Sequence, residues 1–329
     1  MPHFVKFFLL LLLSLSTSAQ DYSAYQRCIN RVDRDIMKRE WASATQRMDS
    51  VYRDYDFIYA RHCVKGLKLA LLQQDEQRSA QWLGRSILQG VPLWVLRNHE
   101  LCRPVFELAA TQTVLARYDS LHRVYLSRID TALARRIQNM MDADTRYTRR
   151  VNDGFILLRH TLYGLQWIRH NKQQTRELEQ IIRQYGFPEE RLIGLPQSVA
   201  DSAALAAYLR QEGPDLVLQN RQAFFMLLHY FSTKRKDLNP LLLPQVAIGN
   251  LPPYQYARIN DYLSRNTSAQ RYSRYYDFGS MPDEEDLAAV DQRRDRLGLP
   301  PYEEQQWKRQ LHWDARKSSK LGREILLEQ

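Results

Sequence analysis

The apolar positions of this 329-residue chain recur at helical rather than strand spacing. Val114, Tyr118, Leu121, Tyr125, Ile129, Leu133, Ile137 and Met140 step by three or four, and no Gly or Pro interrupts Thr111 to Val151. Residues three and four apart share one face of a helix, so the stripe predicts a single amphipathic helix of about seven turns. Its other face carries Arg117, Asp119, Arg123, Arg128, Asp130, Arg135 and Arg136. Acids interrupt that basic face, which points to packing in a core rather than on a membrane surface. Ala223 to Phe231 is apolar on every side except at His229, the pattern of a central buried helix. No alternating segment joined by an Asn-Gly turn reads as a hairpin of strands, so the expected class is all-α.

Residues 22–110 repeat weakly with a period near 35, pairing Cys28 with Cys63, Ala44 with Ser79, Met48 with Leu83 and Tyr52 with Ile87. In the second copy, Tyr59 to Gln73 reads as one helix, Asp75-Glu76 as the turn, and Arg78 to Gln89 as its partner. Gly90 caps that partner and Val91-Pro92 ends it. This helical-repeat module resembles the tetratricopeptide repeat, whose period is about 34. Beyond it, breaks at Gly186-Phe187-Pro188, Gly194-Leu195-Pro196, Gly213-Pro214, Asn239-Pro240 and Pro252-Pro253 separate further helices. A helix is expected from Asp283, with Asp283, Glu284 and Glu285 capping its start and Gly298 its end. A charged helical tail follows, with Trp307, Leu311 and Trp313 near helical spacing.

The first residues change the setting. Lys6, the apolar run Phe7 to Leu13 and the small-residue exit to Ala19 have the order of a secretory signal, too short to span a bilayer as an anchor. The expected organisation is therefore a signal peptide at 1–19, a helical-repeat module at 20–110, a helical domain at 111–300 and a tail at 301–329, in a protein exported to the periplasm or beyond. Removing the signal takes Lys6 and turns a net charge of +10 into +9. The basic residues are scattered, the densest cluster being Lys234-Arg235-Lys236, so a solvated surface is expected. Cys28, Cys63 and Cys102 lack CxxC or CxxH spacing and read as small buried hydrophobes.

The candidate chemistry is sparse. There is no HExxH, GxSxG, Walker loop or GxGxxG, and no metal or cofactor is called for. Asp142 and Asp144 lie in a dense patch of acids and bases but two positions apart, so they point to different faces, and a solvated helix end is the plain expectation. His229 stands out because it interrupts the most hydrophobic helix, as a hydrogen-bonded core histidine or as a general base. Arg271, Tyr272, Arg274 and Tyr275 interleave cations and aromatic rings that could stack on a glycan or an acidic partner. Nucleic acid is not expected of an exported chain.

From about Met140 to Tyr302 the order of motifs resembles a bacterial family of uncharacterised helical domains. That family's pattern starts with an Asp-Gln-x-Tyr-Arg-type element and an Asn-bearing helix leading into Tyr-Gly-Trp-Pro. It continues with a His-containing helix, a Tyr-Ala-x-x-x-Asp-Arg helix, a Gln-x-Tyr-Gly-Thr-Gln element and a closing Val-Asp-x-Arg-Arg-x-x-Gly-Leu segment. Asp144 to Tyr147, Ile181 to Pro188, Leu228-His229-Tyr230, Tyr256 to Tyr262 and Val290 to Leu299 stand in those places. Thr145 replaces the Gln, Tyr262 replaces the Arg, no acid follows His229, and Gln270-Arg271-Tyr272 lacks the rest of its element. The resemblance implies His229, Asp261 and Asp144 as candidate catalytic residues, in a member whose polar positions are eroded. The expected function is accordingly a non-catalytic protein- or ligand-binding module of the bacterial envelope, its partner a protein or peptide and secondarily an anionic surface or glycan. The alternative is a hydrolase-like enzyme using His229 with Asp261 and Asp144.

Overall fold

The computed structural model describes residues 20–155, 158–196, 217–229, 237–265, 275–277 and 286–317, and these are all-α, without strands. Two helical hairpins open the fold: α1 (Tyr22–Met37) with α2 (Trp41–Asp54), and α3 (Ala60–Leu72) with α4 (Glu76–Leu88). The repeat of 35 is visible in their turns. Arg39 and Gln74, 35 positions apart, both take left-handed backbone, with φ of 62° and 56°. Asp75 caps α4 by accepting from the Arg78 N–H at 2.9 Å, while its counterpart Glu40 makes no side-chain cap. Gly90 closes α4 with φ of 80°. Within the second hairpin, Gly66 meets the face of the Trp82 ring so closely that an added Cβ would sit against the ring carbons. Ile29, Val32, Met48, Cys63, Leu67, Leu83 and Ile87 form the core of the hairpins. Cys63 and Cys102 are buried, and Cys28 is half-buried.

The single long helix expected from 111 to 151 is divided. After α5 (Leu93–Asn98) come α6 (Ala109–Ala116), α7 (Tyr118–Arg128) and α8 (Thr131–Asp153). Ile129 is extended (φ −100°, ψ 149°). The Asp130 N–H donates to the Leu192 carbonyl at 2.9 Å, and the Asp130 side chain caps α8 through the Leu133 N–H at 2.8 Å. The physical reason for the break is that the stripe serves two cores. Val114, Tyr118 and Leu121 pack on the hairpins, whereas Leu133, Ile137 and Met140 belong to a second cluster. A straight helix cannot lie along both.

That second cluster is completed by α9 (Gly164–Tyr185), α10 (Glu190–Ile193), α11 (Gln222–Leu228), α12 (Asn239–Ala247) and α13 (Pro253–Arg265), and by Leu297 and Leu299 just after α14 (Leu287–Arg296). Asp286 caps α14 by accepting from the Ala288 N–H at 2.9 Å. The acids 283–285 expected in that role lie outside the described residues, as does 1–19. The last helix, α15 (Tyr302–Lys317), folds back onto α1. Asp33 accepts from Lys65 at 2.6 Å and from Lys308 at 3.3 Å, and Arg34 pairs with Glu304 at 2.5 Å. Among the described residues no helix is long and apolar enough to cross a membrane.

Two outcomes are expected of this packing. Gly66→Ala gains helix propensity of about 1 kcal/mol but drives a methyl into Trp82, and overpacking of about 1–3 kcal/mol outweighs the gain; the denaturation midpoint falls. For Asp33, burial alone would raise the carboxyl, but Lys65 and Lys308 outweigh it and hold it below its ordinary value. A folded pKa below the unfolded one means stabilisation that is complete above the unfolded value and is lost as pH falls through the folded one. Asp33→Ala strands the buried Lys65 ammonium, leaves Lys308 with Glu304 alone, and costs about 3–5 kcal/mol at neutral pH. It also flattens the acid limb of a melting-temperature profile between about pH 5 and pH 3.

Candidate functional site

On α8 the buried stripe Leu133, Ile137, Met140 continues by four to Asp144, so a carboxylate takes a core position and is fully buried. The expected solvated helix end holds for Asp142, which is exposed and accepts from Gln138 at 2.8 Å. For Asp144 it is overturned, because a step of two residues turns a helix through about 200°. A buried carboxylate is costly without a partner. Here the partner is Nδ1 of His229, at 2.6 Å, from a residue 85 positions away.

Several polar ties hold this pair. His229 is the C-cap of α11, and its carbonyl accepts from Asn171 Nδ2 of α9 at 2.9 Å. Gln174, one turn along α9, donates to the Met140 carbonyl of α8 at 2.6 Å. Gln222 at the start of α11 donates to Gln138 of α8. Three helices are thus cross-linked around Asp144. Asn171 and Gln174 were not singled out by motif, although a signal exists. The buried face of α9 reads Asn171, Gln174, Thr175, then Leu178, Ile181, Ile182, a polar half continuing into an apolar half on one stripe.

A carboxylate only accepts, so the hydrogen between the two must sit on Nδ1, and Nε2 of a neutral His229 carries the lone pair. The His229 side chain is 29% exposed. Trp167 lies edge-on to the ring at 5.9 Å. A second imidazole, His170, stacks on Tyr147 at 4.3 Å and lines a cleft of about 450 Å³ between α8 and α9, beside Ala143 and Gln174. Burial lowers the pKa of His170, an effect that Asp144 opposes in part. Asp144 Oδ1 and His170 Nε2 are buried without a hydrogen-bond partner among the described residues.

The other sequence candidates fall elsewhere. Asp261 is fully buried, and its two oxygens accept from the Tyr275 and Asp277 N–H groups at 2.9 and 2.7 Å, so that carboxylate organises a turn. Tyr275 is held in the same turn, its carbonyl accepting from Arg294 at 2.5 Å and its ring edge-on to Tyr256 at 6.0 Å. Arg271, Tyr272 and Arg274 lie outside the described residues. Among the described residues no group of three His, Cys, Asp or Glu is placed to hold a metal ion.

No family model matches the chain, and neither the curated proteins nor the solved structures yield a match. The chemistry of the site therefore follows from its own geometry. Nitrogen-15 NMR of the His229 ring is expected to show Nδ1 protonated in the neutral form. In Asp144→Asn, an amide that donates to Nδ1 moves the proton to Nε2. An unchanged tautomer in that variant would mean that Asp144 does not orient the ring.

Proposed function

We propose that this chain is a hydrolase-like enzyme of the bacterial envelope in which His229 acts as general base and Asp144 orients it. The single observation that carries this reading is the 2.6 Å contact between a fully buried carboxylate and Nδ1 of a partly exposed imidazole. In the proposed step, His229 Nε2 takes a proton from water while the water oxygen attacks the substrate's electrophilic centre. Asp144 stabilises the imidazolium that forms, and the imidazolium then returns the proton to the leaving group.

The test is turnover by the mature chain of chromogenic esters, glycosides, phosphoesters and peptides. The expected result is activity against one class, lowered about 10²–10⁴-fold by His229→Ala and substantially by Asp144→Asn, with both variants folded. Activity indifferent to both substitutions, or none against any class, overturns the proposal.

A second reading, a peptide-binding module built on the hairpins, is favoured by a groove of about 510 Å³ where α2, α4 and α7 end. Tyr52, Tyr55 and Phe57 line it together with Arg53, Arg85 and Arg128. Photo-crosslinking from position 128 in the envelope would give one dominant partner if this reading holds. A smear of weak products would count against it.

A further inference from the structure

We propose that the cavity lined by α1, α3, α13 and α15 is a binding site for a small oxyanion, a phosphate or a carboxylate. The cavity measures about 70 Å³, room for several waters or one such anion. It lies among groups other than the His229–Asp144 pair, so it stands independently of the enzymatic reading.

Charge is the first argument. Lys65, Lys308, Arg61 and Arg258 line the cavity against two carboxylates, Asp33 and Asp277. Arg258 and Asp277 form a pair of their own at 2.7 Å. Asp33 is shared by both lysines, Oδ1 toward Lys65 at 2.6 Å and Oδ2 toward Lys308 at 3.3 Å. Lys308 also approaches Glu304 Oε1 at 3.5 Å, while Oε2 of that carboxylate pairs with the more exposed Arg34. Setting Arg61 aside still leaves three lining cations to two carboxylates. Among the groups that line the cavity the cations outnumber the carboxylates, which favours an anion there.

Hydrogen-bonding capacity is the second argument. Lys65 and Lys308 are 7% and 5% exposed, and each ammonium carries three donors. Each ammonium therefore has donors beyond its contacts with Asp33 and, for Lys308, with Glu304. Gln26 also lines the cavity, and its Oε1 is buried without a partner among the described residues. A protonated phosphate oxygen supplies a donor for that acceptor, whereas sulfate and an ionised carboxylate do not. His62, in the same wall, is held well below its ordinary range, first by burial and then by Arg61 and Lys65, as a locally positive field requires.

The experiment is calorimetric titration and thermal melting of the mature chain with inorganic phosphate, sulfate and acetate, each at constant ionic strength set with potassium chloride. Phosphate is expected to bind with a Kd at or below about 1 mM and to raise the melting temperature as its concentration passes that value. Lys308→Met is expected to weaken binding about tenfold or more, and Arg258→Gln, at a more exposed wall position, serves if Lys308→Met does not fold. Stronger binding of acetate than of phosphate would assign the site to carboxylates. Absence of binding by all three anions, or unchanged phosphate affinity in both variants, overturns the proposal. His229→Ala retains phosphate binding, which keeps the outcome separate from that of the proposed enzyme.

Discussion

Asp33 accepts hydrogen bonds from Lys65 and Lys308, and this shared carboxylate ties α1 of the first hairpin to α3 of the second and to α15 near the far end of the chain. Apolar groups of the same shape could be as stabilising at such a position. The ion triad adds register, because α15 docks where Lys308 meets Asp33. Other polar contacts follow the same boundary. Asn30 donates to the Gly298 carbonyl at 2.6 Å, Tyr59 to the Gly249 carbonyl at 2.8 Å, and the Ala60 N–H to Glu190 at 2.5 Å. The two hydrophobic clusters are joined through a layer of specific polar contacts, in which an unmade bond is expensive and the geometry is correspondingly well defined.

The same logic governs the His229 site. Asp144 stands on a helix face that is otherwise apolar, and Asn171 and Gln174 on the polar half of the buried face of α9. Each makes one polar contact with a residue on another helix, so the contacts that position the imidazole also hold α8, α9 and α11 together. A site built this way is rigid, since its carboxylate cannot rotate toward solvent. Asp144 belongs to the packing of α8 as well as to the proposed site, so a stability measurement must accompany any activity measurement there.

The period of 35, the turn at Asp75 and the cap at Gly90 were legible along the chain because hairpin turns depend on local backbone chemistry. His229 was legible as a polar residue in an apolar helix. Asp144 was misread because its spacing was compared with Asp142; compared with Met140, the step of four places it on the buried stripe. The helix expected across 111 to 151 failed for a different reason. Periodicity reports which residues share a face but not which core that face meets, and Asp130 breaks the helix where one core gives way to the other.

By itself, the amino-acid sequence determined the all-α class, the hairpin repeat and the faces that had to be buried, since these depend on residue spacing and backbone preference over a few turns. Only the tertiary structure decided that Asp144 faces His229, that Asp261 serves a turn, and that Lys308 returns to Asp33 across 275 positions. Those pairings depend on helix packing directions, which arise from the joint burial of many side chains and leave no mark at any single position of the chain.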